Sequence, residues 1–129
     1  MPIRVGFDLV EVAAVEAELR APTRDRYLAR VYTELEVAEC TTDHGVSAER
    51  LAARFAAKEA TIKVLPSSND GFSLREIEVR RAPSGNVLIT LSGTAAELSR
   101  SAGILALSVS LTHEAGMAGA VVVAESRRP

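Results

Sequence analysis

Residues Arg54 to Lys63 read RFAAKEATIK, an alanine-rich run that nevertheless places Arg54, Lys58, Glu59 and Lys63 among small apolar neighbours. Alanine and unbranched charged side chains favour a helix. Ser47 offers an N-cap upstream and Pro66 a stop downstream, so the spacing predicts one long helix between them. At 100° per residue from Leu51, Phe55 falls at about 40°, Ile62 at about 20° and Leu65 at about −40°, which forms an apolar stripe. Glu59 falls at about 80° and Lys63 at about 120°, beside Ala48, Ala52 and Ala56, at the shoulder of that stripe. A carboxylate there needs a partner, because an unpaired buried charge is costly. Lys63, four residues on, is the nearest candidate. On most helices such a pair is an ordinary surface bridge worth a few tenths of a kcal/mol. The flanking alanines weigh the other way, since they leave room for a ligand. Arg54 and Lys58 are also four residues apart, and like charges at that spacing either snorkel outward or hold an anion between them.

Working outward, Ile3, Val5, Phe7 and Leu9 alternate with Arg4, Gly6 and Asp8, the period of a strand. The apolar set is expected on the core and Asp8 on the opposite face, near the strand's end. Asp8 and Glu59 together would offer two carboxylates to Mg²⁺, an ion that completes its octahedron with water and phosphate. The spacing alone does not bring them together. Short helices are expected over Glu11–Arg20, Thr23–Val31 and Glu34–Cys40, the last opened by a Thr33/Glu36 capping box. IEVRR and NVLITLS flank APSG as a hairpin. Gly93–Ala102 reads as a helix stopped by Gly103. LALSVSLTH and MAGAVVVA form a second hairpin, and residues 126–129 are expected to fray. His113 ends a strand whose Ser108, Ser110 and Thr112 share one face, either to donate to an anion or to ladder across the sheet. Helices and antiparallel strands without regular alternation argue for a single α+β domain over 1–129, with short antiparallel strands around a long central helix.

The composition limits the function classes. The 129 residues are 47% hydrophobic with 15 Lys and Arg against 17 Asp and Glu. That lacks the basic excess of a nucleic-acid binder, so none is expected. Cys40 is the single cysteine, which rules out an internal disulfide. The amino-terminal run lacks the pattern of an export signal and no segment approaches a membrane span, so a cytoplasmic protein is expected. There is no Walker-type glycine loop.

VGFDLVEV, YTELE, RFAAKEATIK and SLTHEAGMAGAVVV, in this order and spacing, resemble the bacterial holo-(acyl-carrier-protein) synthases, the small 4'-phosphopantetheinyl transferases. The resemblance covers nearly the whole chain and implies their fold. It also implies transfer of the phosphopantetheine arm of coenzyme A to a serine of apo acyl carrier protein, with release of adenosine 3',5'-bisphosphate. It implies Mg²⁺ held by Asp8 and Glu59, with Lys63 beside the pyrophosphate and Glu59, or a water it orients, as base. Arg54, Lys58 and His113, with Ser110 and Thr112 on the same strand, are implied to contact coenzyme A. The family's homotrimer, with active sites at subunit boundaries, would let His113 reach across from a neighbour.

Three departures stand out. Pro66 and SSND replace a glycine-rich turn; Ala13 and Ala14 replace basic residues that steer an acidic carrier; and Asn86 and Val87 replace a hairpin proline. Arg20, Arg24, Arg26 and Arg30 are available to compensate for the second. These differences suggest an unusual carrier partner, such as one of a secondary-metabolite or polyketide system, with the choice between that and fatty acid synthesis left open. Two rival readings are a catalytically impaired relative that binds coenzyme A or serves a larger synthase, and a purely structural domain whose charges only solvate it.

Overall fold

A computed structural model describes residues 2–67 and 71–127. In chain order the elements are β1 (Ile3–Glu11), α1 (Val12–Arg20), α2 (Arg24–Val31), α3 (Glu34–Glu39), β2 (Thr41–Thr42), β3 (Gly45–Val46) and α4 (Ala48–Val64). A 3-10 turn (Leu74–Glu76), β4 (Ile77–Arg81), β5 (Val87–Leu91), α5 (Gly93–Ser101), β6 (Ile104–Glu114) and β7 (Met117–Ser126) follow. The caps form where the side-chain chemistry calls for them. Ser47 Oγ accepts from the Arg50 N–H at 3.3 Å and opens α4, and Thr33 and Glu36 close a reciprocal capping box on α3.

β1, β7 and β6 form one antiparallel sheet in that order. β6 turns into β7 through Ala115 and Gly116, whose φ values of 54° and 80° give the left-handed pair that a two-residue hairpin needs. β4 and β5 form a separate hairpin, and β2 and β3 a minimal one. The α+β class is therefore as expected, with the long helix at its centre.

α4 differs from its expected amphipathic reading. Leu51 is buried as expected, but Phe55 and Ile62 are only half-buried, while Ala52, Ala53, Ala56, Ala57 and Ala60 are enclosed along with Arg54 and Lys58. The helix is wrapped on several sides, with the sheet against one side, α1 and β4 against others, and α3 joined to it by ion pairs. Small residues are what permit that approach. A Cβ on Gly6 would overlap the Ala60 carbonyl, so β1 can lie this close to α4 only with glycine there.

That contact also reverses the expected facing of β1. Ile3, Val5, Phe7 and Leu9 are 63%, 61%, 54% and 55% exposed, and the Gly6, Asp8 and Val10 side lies toward the helix. Alternation separates two faces but does not say which one meets the core; here the small-residue side does. Asp8 also sits in mid-strand opposite Ala120, not near the strand's end. Of the residues expected to fray, Ser126 and Arg127 are held by hydrogen bonds, while 128–129 lie outside the described residues. Ser126 is buried in β7, its N–H donates to Pro2 O and its hydroxyl to Ala102 O, both at 2.9 Å. Among the described residues no helix is long and apolar enough to cross a membrane.

Candidate active site

β1 and α4 bring three of the predicted side chains together. Lys63 near the end of α4 donates from Nζ to Phe7 O at 2.6 Å and lies 3.4 Å from Asp8 Oδ1. Glu59, one turn earlier on the helix, joins this edge. Burial pushes the Glu59 carboxyl above the usual carboxylate range, the like charge of Asp8 pushes it further, and Lys63 offsets only part of that. Lys63 therefore pairs with Asp8 across elements, and not chiefly with Glu59 along the helix. Two neighbouring carboxylates, with Glu59 held above its usual range, suit a cation between them. Among the described residues no cluster of three or more His, Cys, Asp or Glu is arranged around a metal position. This carboxylate pair would thus supply only part of a coordination sphere, as Mg²⁺ sites that share phosphate and water do.

Lys58, implied to contact coenzyme A, lies instead in the core and does not line the groove. Its ammonium is fully buried and donates to Ile77 O at 2.6 Å, Glu36 Oε1 at 2.8 Å and Leu74 O at 2.9 Å. An ammonium has three N–H donors, so none is left for a phosphate. Burial pulls the amine below the usual lysine range, although Glu36 pushes back. Glu36, also fully buried, accepts from Thr33 N at 2.8 Å and Val79 N at 2.7 Å. The pair locks α3, α4 and β4 together. Arg54 and Lys58 thus hold no anion between them; each has its own carboxylate.

Arg54 marks a third region. Its NH2 lies 3.2 Å from Glu39 Oε1, and Glu39 Oε2 takes Arg80 Nε at 2.7 Å. Arg54, Arg50, Arg81, Thr112 and His113 line a groove of about 640 Å³ with Glu39. His113 Nδ1 is 3.2 Å from Glu49 Oε2. The groove unites three predicted ligands, Arg54, His113 and Thr112, but not Asp8, Glu59 or Lys63. Five residues along a helix separate Arg54 from Glu59 by roughly 140° and 7.5 Å. Ser110, on the exposed outer face of the sheet, lines neither region. The segment where a backbone phosphate cradle was expected includes residues 68–70, which lie outside the described residues.

Glu36, Glu39 and Arg80 are site-shaping residues that the sequence reading missed. The capping box exposed one role of Glu36, but its buried partners lie 22 and 43 residues away. The helix-1 region behaves differently again. Arg20 pairs loosely with Glu16 at 4.0 Å and Arg24 donates to Leu19 O. Arg26, Arg30 and Arg75 line a groove of about 790 Å³ with Tyr27 and Phe72.

A small α+β domain that presents a carboxylate pair with a lysine at one edge, and a cationic groove at another, is suited to phosphate-ester chemistry. The chain belongs to the 4'-phosphopantetheinyl transferase superfamily, whose model matches residues 4–117. It is 39% identical over 131 residues to the holo-[acyl-carrier-protein] synthase of Anaeromyxobacter sp. (strain K), covering 100% of both chains. It is 43% identical over 133 residues to that of Chloroflexus aurantiacus, covering 92% of this chain and 95% of the relative. Among solved structures it is similar to the Chronobacterium ammoniagenes ACPS–CoA complex, with TM-score 0.83, 32% identity and coverage of 99% and 100%. It is also similar to the Helicobacter pylori holo-[acyl-carrier-protein] synthase in complex with coenzyme A, with TM-score 0.79, 31% identity and coverage of 95% and 100%.

Proposed function

We propose that this chain is a Mg²⁺-dependent holo-(acyl-carrier-protein) synthase that transfers the 4'-phosphopantetheine arm of coenzyme A to a serine of an apo acyl carrier protein. The observation that carries the reading is the meeting of Asp8, Glu59 and Lys63 at the β1–α4 edge. In the reaction the serine oxygen bonds to the pantetheine-bearing phosphorus. The bond from that phosphorus to the bridging oxygen breaks, and adenosine 3',5'-bisphosphate leaves with the bond's electron pair. Phosphoryl transfer asks mainly for positioning and for positive charge on the phosphate oxygens. Asp8 and Glu59 would hold the Mg²⁺, which when bound neutralises charge on those oxygens. Lys63, already anchored on Phe7 O, keeps its ammonium beside Asp8 to add positive charge at the pyrophosphate. Glu59, or a water that it orients, would take the serine proton.

Arg54, His113 and Thr112 would receive the terminal phosphates of coenzyme A in their groove. Because that groove and the carboxylate pair lie on different sides of α4, a complete site requires a second chain. The exposed Ile3, Val5, Phe7 and Leu9 face of β1 supports such an assembly, and the family's homotrimer is the arrangement we favour. Substituting Phe7→Glu should then shift sedimentation toward the monomer and abolish turnover together; a variant that is monomeric yet fully active would overturn the shared site. Arg26, Arg30 and Arg75 form the surface we assign to the acidic carrier, in place of the basic residues absent at Ala13 and Ala14.

The direct test is incubation with coenzyme A, Mg²⁺ and a panel of apo carrier proteins from fatty acid and polyketide systems, read by mass spectrometry. One added phosphopantetheine on at least one carrier is expected. Tight coenzyme A binding with no addition to any carrier would instead identify a non-catalytic relative.

A further inference from the structure

Two carboxylates three residues apart on α3 perform parallel tasks. Glu36 takes Lys58 of α4 and the Val79 N–H of β4. Glu39 takes Arg54 of α4 at 3.2 Å and the Arg81 N–H of β4 at 3.1 Å. The first rung is sealed in the core; the second opens into the groove that Arg54 and His113 line. Glu39 carries an extra partner, Arg80 Nε at 2.7 Å. One acidic side chain therefore lies among two guanidinium groups and a backbone N–H, the set of donors that would receive an anion.

The fit between Glu39 and Arg54 is incomplete. Arg54 is almost wholly buried, its NH1 reaches Arg50 O only at 3.4 Å, and among the described residues its Nε is buried without a hydrogen-bond partner. Glu39 spends its second oxygen on Arg80, so it does not clasp Arg54 through two parallel bonds. A phosphate monoester has three terminal oxygens and more charge, and is the better acceptor for this set of donors. It must, however, enter beside a carboxylate of like sign.

We propose that Glu39 is a specificity-determining residue that stands in for a phosphate on Arg54, Arg80 and the Arg81 N–H in the free protein, and so limits how strongly the groove favours ligands ending in a phosphate monoester. This rests on the reading above that the groove receives the 3'-phosphate end of coenzyme A. A carboxylate within a few ångströms of a phosphate opposes its binding through direct Coulomb repulsion, weakened but not removed by water. Removing the charge should therefore strengthen coenzyme A binding while leaving 3'-dephospho-coenzyme A, which lacks that group, little affected.

The test is calorimetric titration of coenzyme A and 3'-dephospho-coenzyme A into the wild-type protein, Glu39→Gln and Glu39→Ala, with thermal melting as a check of folding. Wild type is expected to prefer coenzyme A, and both variants to raise that preference by about fivefold or more, the order of a like-charge contact in a partly wet site. An unchanged or reduced preference in a folded variant would mean that Glu39 merely anchors Arg54, and overturns the proposal. If wild type itself shows no preference, the groove reading fails and this inference with it, whereas an intact wild-type preference with unmoved variants sinks the Glu39 role alone. Should neither variant fold, Glu39 is a structural residue and the proposal is wrong.

Discussion

Lys58 and Lys63 lie five residues apart on one helix, and each faces a carboxylate, yet one region is closed and the other open. Lys58 is 0% exposed and 2.8 Å from a fully buried Glu36, with its remaining donors on carbonyl oxygens. Lys63 is 52% exposed and 3.4 Å from Asp8, with Glu59 near enough to feel Asp8's charge. The difference teaches that a charged residue's role is set by whether its partners use up its bonding capacity. A saturated cluster holds elements together; an unsaturated one retains free lone pairs, free N–H groups and unbalanced charge for a ligand.

The largest expected effect breaks the closed side. Lys58→Ala leaves the Glu36 charge buried without its counter-ion and should cost about 3–5 kcal/mol of stability. Urea unfolding measures this, and the double change Lys58→Met with Glu36→Gln should recover a good part of the loss. A Lys58→Ala protein as stable as wild type would contradict the closed reading. The same residue type on the open side should behave oppositely: Lys63→Ala is expected to lower turnover with little change in melting.

Glu59→Gln sharpens the contrast. It removes a charge that burial and Asp8 already disfavour, so the melting temperature should hold or rise slightly. Turnover should fall by about 10²–10³-fold, the usual scale for losing a transition-state contact. Normal activity in this variant would remove Glu59 from the chemistry.

Gly6→Ala tests whether backbone approach builds the open side. Its Cβ would overlap the Ala60 carbonyl, forcing β1 off α4 at a cost of about 1–3 kcal/mol. Asp8 rides on that strand, so activity should drop more than stability explains. The control Gly85→Ala, in the hairpin turn between β4 and β5, meets nothing within 4 Å but has a φ of +93°, and should affect stability alone.

The smallest effect is a reporter beneath the closed cluster. Burial pushes the Cys40 thiol up to about 11 from 9.0. Since folding favours the neutral thiol, its contribution to stability is complete below pH 9 and lost as pH rises through about 11. Aromatic disulfide reagents should modify Cys40 at pH 8 only as fast as the protein opens, and Lys58→Ala should accelerate that modification. Rapid reaction in the intact wild-type protein would show the closed cluster to be less sealed than its geometry indicates.

Much of the fold was legible because its signals are local. Ser47, Thr33 with Glu36, and the turn residues at 82–85 and 115–116 act within a few residues of themselves, and α4 and both long hairpins form where those signals placed them. For the candidate site, RFAAKEATIK with the early Asp8 carries the family's pattern. Arrangement was not legible. Lys58 and Lys63 are indistinguishable on a helical wheel that lacks the rest of the protein, and the apolar face of β1 reads as core although the fold leaves it exposed.

By itself the sequence determined the helix and strand periods, the caps, and the set of charged residues offered to a ligand, because those depend on intrinsic geometry and short-range hydrogen bonds. Only the tertiary structure decided which lysine is saturated, which side of β1 meets α4, and that Glu39 intrudes into the cationic groove. Those outcomes depend on side chains brought together over 15 to 60 positions, such as Glu39 on Arg54 or Arg4 on Val64 O. Burial and competing partners at that range, and not local propensity, determine the charge each group can hold.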